Sequence, residues 1–235
     1  MEQIKNLPQQ EVDILMEPST KEHLKLNEMI IFPDRMDGLH IWEAGIVLAR
    51  YVYFNSELFT DKSIMELGTG VGVVGIALLK YCKPRSVEIS DYKEDILNNA
   101  VNNAKKNKVW TKIPTKGRLL DWVDYEKEKN KYDIIIGSDL IYAGAPVVEL
   151  SKLMNKMLNI GGKVYIMIPK QRFYSVEFFK ALDELGNFEV EKIELNDEKY
   201  LTSPYWDEKA GYKHFAGLKE LNFFVYILTK VKEAN

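Results

Sequence analysis

Short apolar runs alternate with longer segments of mixed polarity along most of the chain. The short runs predict β-strands, and apolar residues that recur every three to four positions in the longer segments predict α-helices. The predicted strands cover residues 63–67, 86–89, 116–120, 132–137, 163–168, 188–195 and 222–230. One predicted helix starts at Trp42, and the others cover residues 73–81, 92–106, 146–158 and 173–185.

The order of these elements predicts the fold class. Strands that alternate with helices form βαβ units and therefore a mostly parallel sheet. The last two predicted strands are separated by a polar, aromatic-rich stretch, residues 196–221, without a clear helix. Strands joined without a crossover helix run antiparallel. We therefore expect an α/β fold with a seven-stranded, mostly parallel sheet, helices on both faces and an antiparallel last strand.

The first residues of the chain lack this regularity. Residues 1–22 are polar, contain Pro8 and Pro18 and show no sustained period, so we expect a loosely ordered N-terminal arm. Residues 25–32 are apolar enough to form a short strand. We expect residues 23–235 to form a single domain, because one hydrophobic core can serve a chain of that length.

Composition narrows the classes of function. Hydrophobic residues make up 46% and charged residues 29%, as in a folded protein. The 32 basic and 35 acidic residues give a net charge of -3, too balanced for a protein that coats duplex nucleic acid. The single cysteine, Cys82, excludes an intrachain disulfide and fits a reducing compartment. The three histidines are too scattered for a zinc site, so no metal is expected.

The sequence also bears on location. Its apolar runs are too short to span a bilayer, and residues 1–13 lack the charge and apolar stretch of a secretory signal. We therefore expect a cytoplasmic or nuclear protein without a membrane partner.

A glycine cluster follows the first strand of the predicted alternation. In such sheets ligands bind beyond the carboxyl ends of the strands. Gly68, Gly70 and Gly72 allow positive φ and a close approach of a ligand to the backbone. Gly70, Gly72 and Gly75 also fit the G-x-G-x-x-G dinucleotide pattern, and tight packing of strand on helix would need glycines too. The glycines alone therefore leave the ligand open.

Acidic residues at three strand ends add to this pattern. Asp91 follows Gly72 by roughly 20 residues, the spacing of an acid that binds ribose hydroxyls, although it could instead cap the next helix. Asp121 and Trp122 could hold an adenine, or cap a short helix and pack at its rim. Glu66 precedes the glycines within a strand, where an acid needs a partner. A cationic amino group on the ligand, met directly or through the loop, would supply one, whereas a pyrophosphate would be repelled.

Together these residues resemble class I S-adenosyl-L-methionine-dependent methyltransferases, which have a Rossmann-like seven-stranded sheet. More narrowly, residues 41–230 resemble methyltransferase family 16, whose members methylate lysine in proteins. Residues 66–70 match the family's donor-binding loop, and residues 41–45 match its first helix, with Glu43 at the place of the usual proline. The resemblance implies these cofactor-binding residues: Trp42, Glu66, Gly68, Thr69, Gly70, Gly72, Asp91, Tyr92, Asp121, Trp122 and Ser138.

The most specific match is Ser-Asp-Leu-Ile-Tyr at residues 138–142, which fits the family's D-x-x-Y/F signature. In the family this signature lies where the methyl donor meets the lysine. The resemblance implies two catalytic residues, Asp139 and Tyr142. Tyr142 would shape the acceptor channel, and Asp139 would contact the donor's amino end, orient the amine or accept its proton through water. Nucleic-acid amino-methyltransferases carry proline after the acid, which this chain lacks, so a nucleic-acid partner is not expected.

The resemblance thus implies S-adenosyl-L-methionine as cofactor and a protein substrate, with a calmodulin-like or elongation-factor-like protein among the candidate targets. We expect a monomer. Three other functions stay open: an NAD-dependent oxidoreductase, an inactive cofactor-binding protein and a histidine methyltransferase. A basic stretch, residues 105–118, and the aromatic-rich residues 196–221 are candidate surfaces for the protein substrate.

Overall fold

The described residues form a seven-stranded sheet, a separate hairpin and six α-helices. The structure, a computed structural model, describes residues 9–29, 37–170, 174–204 and 218–233. The strands of the sheet are β3 (Ser63–Glu66), β4 (Ser86–Asp91), β5 (Thr115–Leu119), β6 (Tyr132–Ser138), β7 (Leu158–Pro169), β8 (Phe188–Leu195) and β9 (Phe223–Lys230). The helices are α1 (Glu43–Phe54), α2 (Val73–Tyr81), α3 (Glu94–Lys106), α4 (Val147–Met157), α5 (Ser175–Leu185) and α6 (Glu198–Leu201).

The sheet has the strand order β5-β4-β3-β6-β7-β9-β8. Neighbouring strands from β5 to β7 pair in parallel, and β9 runs antiparallel to both β7 and β8. One apolar cluster joins α1, α2 and α3 to one face of the sheet, and a second joins α4 and α5 to the other. The predicted fold, with its seven strands, covered faces and antiparallel last strand, is confirmed.

The strand β7 begins earlier than its predicted start at residue 163. It runs from Leu158, directly after α4, and includes Gly161 and Gly162. The pairing of β6 with β7 shifts register after Tyr132, so the glycines lie in an irregular part of the ladder. Two glycines in sequence predict a turn, and the neighbouring strand overrides that preference.

The N-terminal residues differ from the prediction. Residues Gln9–Glu17 form β1, which pairs antiparallel with β2, Glu22–Met29. The loosely ordered arm predicted for residues 1–22 is therefore wrong for this segment. Val12, Ile14 and Met16 share one face of β1 and are buried in the cluster that contains residues of α1, α2 and α3. Residues 30–32 of the short strand predicted here lie outside the described residues.

A buried arginine joins three distant segments. Arg50 lies in α1, and its guanidinium donates hydrogen bonds to the carbonyl oxygens of Leu15, Tyr200, Thr202 and Ser203 at 2.7–3.3 Å. Burial lowers the pKa of Arg50 to about 10, which leaves it charged at neutral pH. The hairpin and the start of the segment between β8 and β9 are thereby fixed to α1.

Among the described residues, none of the helices has the length and apolar character of a membrane span.

Candidate functional site

The predicted site residues gather at one edge of the sheet. Because β3, β4, β5 and β6 are parallel, their carboxyl ends meet at that edge. The chain moves from β3 outward to β5 and then returns to β6 on the other side of β3. A crevice for a ligand lies outside the carboxyl ends of the strands at such a reversal of strand order.

The glycine loop after β3 has a backbone that side chains would disturb. Gly68 has φ +59°, and a Cβ built on it would lie 2.7 Å from Cδ2 of Leu140, so only glycine fits there without movement. Gly72 has φ +91° and precedes the first residue of α2. The loop therefore presents bare backbone and the amino end of a helix to the crevice, as an anionic or polar nucleotide group requires.

Glu66 supports this loop from within. Its side chain is buried, and Oε2 accepts a hydrogen bond from Oγ1 of Thr69 at 2.7 Å. The backbone N–H of Gly75 donates to the same carboxyl group. Burial raises the pKa of Glu66 to about 8. Glu66 thus has partners within the chain, and a cationic ligand is not needed to explain it. Its role in cofactor binding stays a prediction, and these contacts would make that role indirect, through the loop.

Asp91 joins the end of β4 to the glycine loop. Its Oδ2 accepts a hydrogen bond from the backbone N–H of Gly70 at 3.2 Å. Burial raises the pKa of Asp91 to about 6, although backbone N–H groups, including that of Gly70, oppose the shift. Lys93 is the cap residue of α3, and its backbone N–H donates to Oδ1 of Asp91 at 3.4 Å, so Asp91 supports the start of the helix without being its cap. Tyr92, the next residue, is exposed at the same strand end.

The end of β5 brings Trp122 to the glycine loop. Cζ2 of Trp122 lies 3.5 Å from the position of a Cβ on Gly68. Asp121 is exposed, and its Oδ1 accepts a hydrogen bond from the backbone N–H of Val123 at 3.2 Å. The capping alternative for Asp121 is therefore observed, and its contact with an adenine stays a prediction.

The predicted catalytic residues follow β6. Asp139 has φ +53°, a conformation that non-glycine residues rarely adopt and that is found at functional sites. Its backbone N–H donates to the carbonyl oxygen of Met167 in β7 at 2.9 Å, which holds it in place. Asp139 lines a cavity of about 190 Å³. Tyr142 is exposed near the same edge.

Trp42 and Ser138 lie where α1 crosses the end of β6. Trp42 immediately precedes α1, is 41% exposed and packs edge-on against the ring of His40, with the ring centroids 5.4 Å apart. Oγ of Ser138 lies 3.5 Å from the position of a Cβ on Gly45 in α1. The start of α1 therefore lies beside the end of β6.

Sequence analysis missed the part that the hairpin plays in this site. Glu28 of β2 is buried, and its Oε2 accepts a hydrogen bond from the backbone N–H of Ile41 at 3.0 Å. Nδ1 of His40 lies 3.0 Å from the same oxygen. Burial alone would raise the pKa of Glu28, but hydrogen bonds from His40, Ile41 and Gln10 hold it below its usual range. The hairpin thus fixes the residues directly before Trp42.

A second contact joins the hairpin to the glycine loop. Asn103 in α3 is buried, and its amide bonds to both backbone groups of Asn27 in β2. The same amide donates to the carbonyl oxygen of Val71 at 2.9 Å. Two features of the sequence signal these contacts. Glu28 is an acid within the alternating pattern of β2, and Asn103 is an asparagine on the apolar side of α3.

The two candidate substrate surfaces have different positions. Most of the basic stretch of residues 105–118 lies where α3 ends and β5 begins, at the sheet edge opposite the site, while Arg118 lies near the carboxyl end of β5, opposite Ser90 of β4. Two of its cations are paired, Lys106 with Glu11 and Arg118 with Glu128. In the second surface, residues 198–201 form α6, and residues 205–217 lie outside the described residues.

No group of His, Cys, Asp and Glu in the described ranges is arranged to hold a metal ion.

Residues 21–185 match a protein family described as lysine methyltransferase, and this match includes every predicted site residue. The chain belongs to this family. The family name and the observed sheet confirm the resemblance to class I methyltransferases, whose cofactor is S-adenosylmethionine.

Curated relatives agree with the family. A human protein-lysine N-methyltransferase, EEF2KMT, is 26% identical over 51% of this chain and 40% of its own length. The protein-lysine N-methyltransferase EFM3 of Chaetomium thermophilum is 27% identical over 63% of this chain and 47% of its own length. The protein N-terminal and lysine N-methyltransferase EFM7 of Debaryomyces hansenii is 27% identical over 73% of each chain. The matches thus span about half the length of the first two relatives.

Solved structures support the fold. A ribosomal protein L11 methylase of Lactobacillus delbrueckii subsp. bulgaricus has a TM-score of 0.54 at 17% identity, over 79% of this chain and 78% of its own. The N-methyltransferase NodS of Bradyrhizobium japonicum, crystallised with S-adenosyl-L-homocysteine, has a TM-score of 0.53 at 13% identity, over 77% of this chain and 85% of its own. At these identities the likeness shows a shared fold.

The site fits the family's cofactor. A Cβ built on Gly68 would collide with Leu140, so this position carries no side chain. The loop therefore offers its backbone to a ligand. Asp91 is a carboxylate at the strand end where ribose hydroxyls would be bound, and Trp42 and Trp122 offer ring surfaces nearby. These groups can hold a nucleoside without a pyrophosphate.

Proposed function

We propose that this protein transfers a methyl group from S-adenosylmethionine to a lysine side chain of a protein. The observation that carries the proposal is the contact of the glycine loop with two strand ends: Gly70 bonds to Asp91 after β4, and Gly68 packs against Leu140, the residue after Asp139. In a chain that belongs to the lysine methyltransferase family, this contact supports a nucleoside site at the glycine loop and Asp91, next to the residues of the D-x-x-Y signature.

The chain's own contribution is binding, orientation and exclusion of water. S-adenosylmethionine, when bound, supplies a methyl group on a positively charged sulfur. Asp91 binds the ribose, and the backbone of Gly70 and Gly72 faces the amino-acid portion. The buried side chains of Leu140 and Ile141 keep water from the crevice behind the signature. Positioning of this kind accounts for most of the acceleration in a direct group transfer.

The acceptor amine must lose a proton before transfer. A lysine amine has an unperturbed pKa of about 10.4, and partial desolvation favours the neutral form. Asp139 accepts the proton through water, while Tyr142 forms the wall of the acceptor channel. The nitrogen lone pair forms the new bond to the methyl carbon, and the electron pair of the broken bond stays on sulfur.

The remaining expectations are part of the same proposal. The printed names of EEF2KMT, EFM3 and EFM7 support lysine in a protein as the acceptor. A calmodulin-like or elongation-factor-like target, a monomeric state and a cytoplasmic or nuclear location stay predictions. Family membership favours a methyltransferase over the NAD-dependent oxidoreductase, while histidine methylation and a protein that binds the cofactor without turnover are outcomes of the test.

The test is transfer of tritiated methyl groups to proteins of a cell extract, followed by acid hydrolysis and amino-acid analysis. We expect label in N-methylated lysine with the wild-type protein and none with Asp139→Ala, which should still bind S-adenosylhomocysteine. Label in methylhistidine would contradict lysine as the acceptor. Cofactor binding without labelled protein would support the binding protein instead.

A further inference from the structure

The cavity beside Asp139 lies on the half of the sheet that carries few of the predicted cofactor residues. Its lining residues follow β6 and β7, precede β9 or begin α1: Glu43, Ala44, Asp139, Pro169, Lys170, Leu221, Asn222 and Phe223. Most of the predicted cofactor residues follow β3, β4 and β5, on the other side of the reversal in strand order, whereas Ser138 and Trp42 directly precede the cavity residues Asp139 and Glu43. At about 190 Å³ the cavity is smaller than the roughly 300 Å³ or more of pockets for whole ligands. Its size suits one side chain.

The charges of this cavity favour a cation. Glu43 and Asp139, both half-buried, contribute two carboxylates, and Lys170 contributes one ammonium group that is exposed. Glu43 is the first residue of α1. The amino end of a helix carries a partial positive charge, which would repel a cation, and the carboxylate at this position reverses its sign.

We propose that Glu43, together with Asp139, binds the ammonium group of the acceptor lysine and selects lysine over histidine. This inference rests on the proposed function and adds a residue to it. An ammonium group has three hydrogen-bond donors and a full positive charge. Two carboxylates that line the same cavity can accept its hydrogen bonds and balance its charge. A histidine ring is largely neutral near pH 7 and gains less from the same pair.

Glu43 acts in capture and orientation of the acceptor. Two carboxylates stabilise the ammonium form and therefore raise its pKa, which opposes loss of the proton. The proton leaves through Asp139 and water before transfer, as described above. Glu43 then keeps the amine in the cavity, with its lone pair directed toward the cofactor side.

The test uses n-butylammonium as a probe of the cavity in the full-length protein saturated with S-adenosylhomocysteine. Titration is followed by the amide resonances of Ala44, Asp139 and Asn222 in nuclear magnetic resonance spectra. We expect saturable shifts with butylammonium and much smaller shifts with n-butanol, which has the same length without charge. Glu43→Gln should weaken butylammonium binding by about fivefold or more, as for a partly desolvated ion pair.

Matched variants separate this role from a general effect on folding. Glu177→Gln removes an acid from the first turn of α5, at the same sheet edge but outside the cavity, and should leave the affinity unchanged. Glu43→Asp should restore part of the affinity. In the extract assay, Glu43→Gln should lower transfer at limiting protein acceptor while the Kd for S-adenosylhomocysteine stays within about twofold.

The outcomes distinguish this inference from the proposed function. Butylammonium shifts that are absent, or that are equal in wild type and Glu43→Gln, would overturn the role of Glu43, whatever the extract assay shows. Butylammonium binding through Glu43 in a protein that labels histidine would overturn the selection of lysine. If Glu43→Gln does not fold, the comparison of butylammonium with butanol on the wild type decides.

Discussion

The backbone N–H of Gly70 donates a hydrogen bond to the buried carboxylate of Asp91, 3.2 Å away. This bond connects the loop after β3 to the end of β4, so that the two predicted halves of a nucleoside site form one unit. It also makes the charge of Asp91 important, because a protonated carboxyl group loses acceptor capacity toward both the loop and the ribose.

Cofactor affinity should therefore fall on acidification. Burial raises the pKa of Asp91 to about 6, so the carboxylate becomes protonated as the pH drops below that value. We expect the Kd for S-adenosylhomocysteine to rise by about tenfold from pH 7.5 to 5, measured by calorimetry, as a charge-assisted hydrogen bond is lost. Asp91→Asn should weaken binding at pH 7.5 and flatten this dependence. A wild-type Kd that is constant over the range would contradict the role given to the charge.

Glu66 should make the protein less stable as the pH rises. Burial raises its folded pKa to about 8, above the unfolded value, so the folded state binds more protons between those values. The free energy of unfolding should then decrease with pH up to about 8, by on the order of a few kcal/mol. Glu66→Gln should remove most of this slope, as urea unfolding at pH 5 and 8 can show. A wild-type slope that persists in Glu66→Gln would contradict the assignment.

Gly75 should not tolerate alanine, although it lies within a helix. A Cβ at this position would lie 2.5 Å from Oε2 of Glu66 and 2.7 Å from Cγ2 of Ile89, both in the interior. Overpacking of about 1–3 kcal/mol should exceed the gain of about 1 kcal/mol in helix propensity. Thermal unfolding and S-adenosylhomocysteine affinity should both be reduced. Gly144→Ala is the control for crowding: its φ of +80° strains alanine and should lower stability, but a Cβ there meets no described atom within 4 Å, so cofactor affinity should be unchanged.

The hairpin should contribute to cofactor binding through Glu28. Glu28→Ala leaves the N–H of Ile41 and the amide of Gln10 without their acceptor, which should lower stability by about 1–3 kcal/mol. Because these contacts fix the residues before Trp42, the Kd for S-adenosylhomocysteine should also rise. Glu11→Ala on the same hairpin removes only a surface ion pair and should change stability by less than about 1 kcal/mol. Equal effects of the two variants on the Kd would contradict this role.

Replacement of Arg50 should destabilise the protein even when the new residue is lysine. Its guanidinium reaches carbonyl oxygens of Leu15 and Tyr200 together, and an ammonium group lacks the fork that does so. Arg50→Lys should lower the free energy of unfolding by about 3 kcal/mol, as for a broken buried charge network. The control Arg85→Lys changes an exposed ion pair with Asp133 and should have little effect. Chemical denaturation of both variants tests the difference.

Local patterns predicted most of the fold. Helix α2 covers Val73–Tyr81 as predicted, because glycines precede a continuous apolar segment of helical length. Strand β6 was predicted within one residue, because a run of isoleucines buried on both faces fits a central parallel strand. The meeting of Gly70 and Asp91 also followed from sequence, since parallel strands end at one edge.

The features that the sequence did not reveal depend on contacts between distant segments of the chain. In β1, Glu11 and Asp13 flank Val12, and Leu15 interrupts the alternation of apolar and polar positions, so a buried strand face is hard to read from the sequence. The partners of Glu66 and Glu28 were also hidden. Thr69 and Gly75 meet Glu66 only because the loop turns back over the strand, and His40 meets Glu28 only once the hairpin has docked.

The most direct test of the account is calorimetric binding of S-adenosylhomocysteine and NAD to the wild type, Asp91→Ala and Asp183→Ala. Asp183 is an exposed acid of α5, away from the site. We expect the wild type and Asp183→Ala to bind S-adenosylhomocysteine alike and NAD not at all. Asp91→Ala should bind S-adenosylhomocysteine at least about tenfold more weakly. Absence of S-adenosylhomocysteine binding, or a preference for NAD, would contradict the methyltransferase site described for this chain.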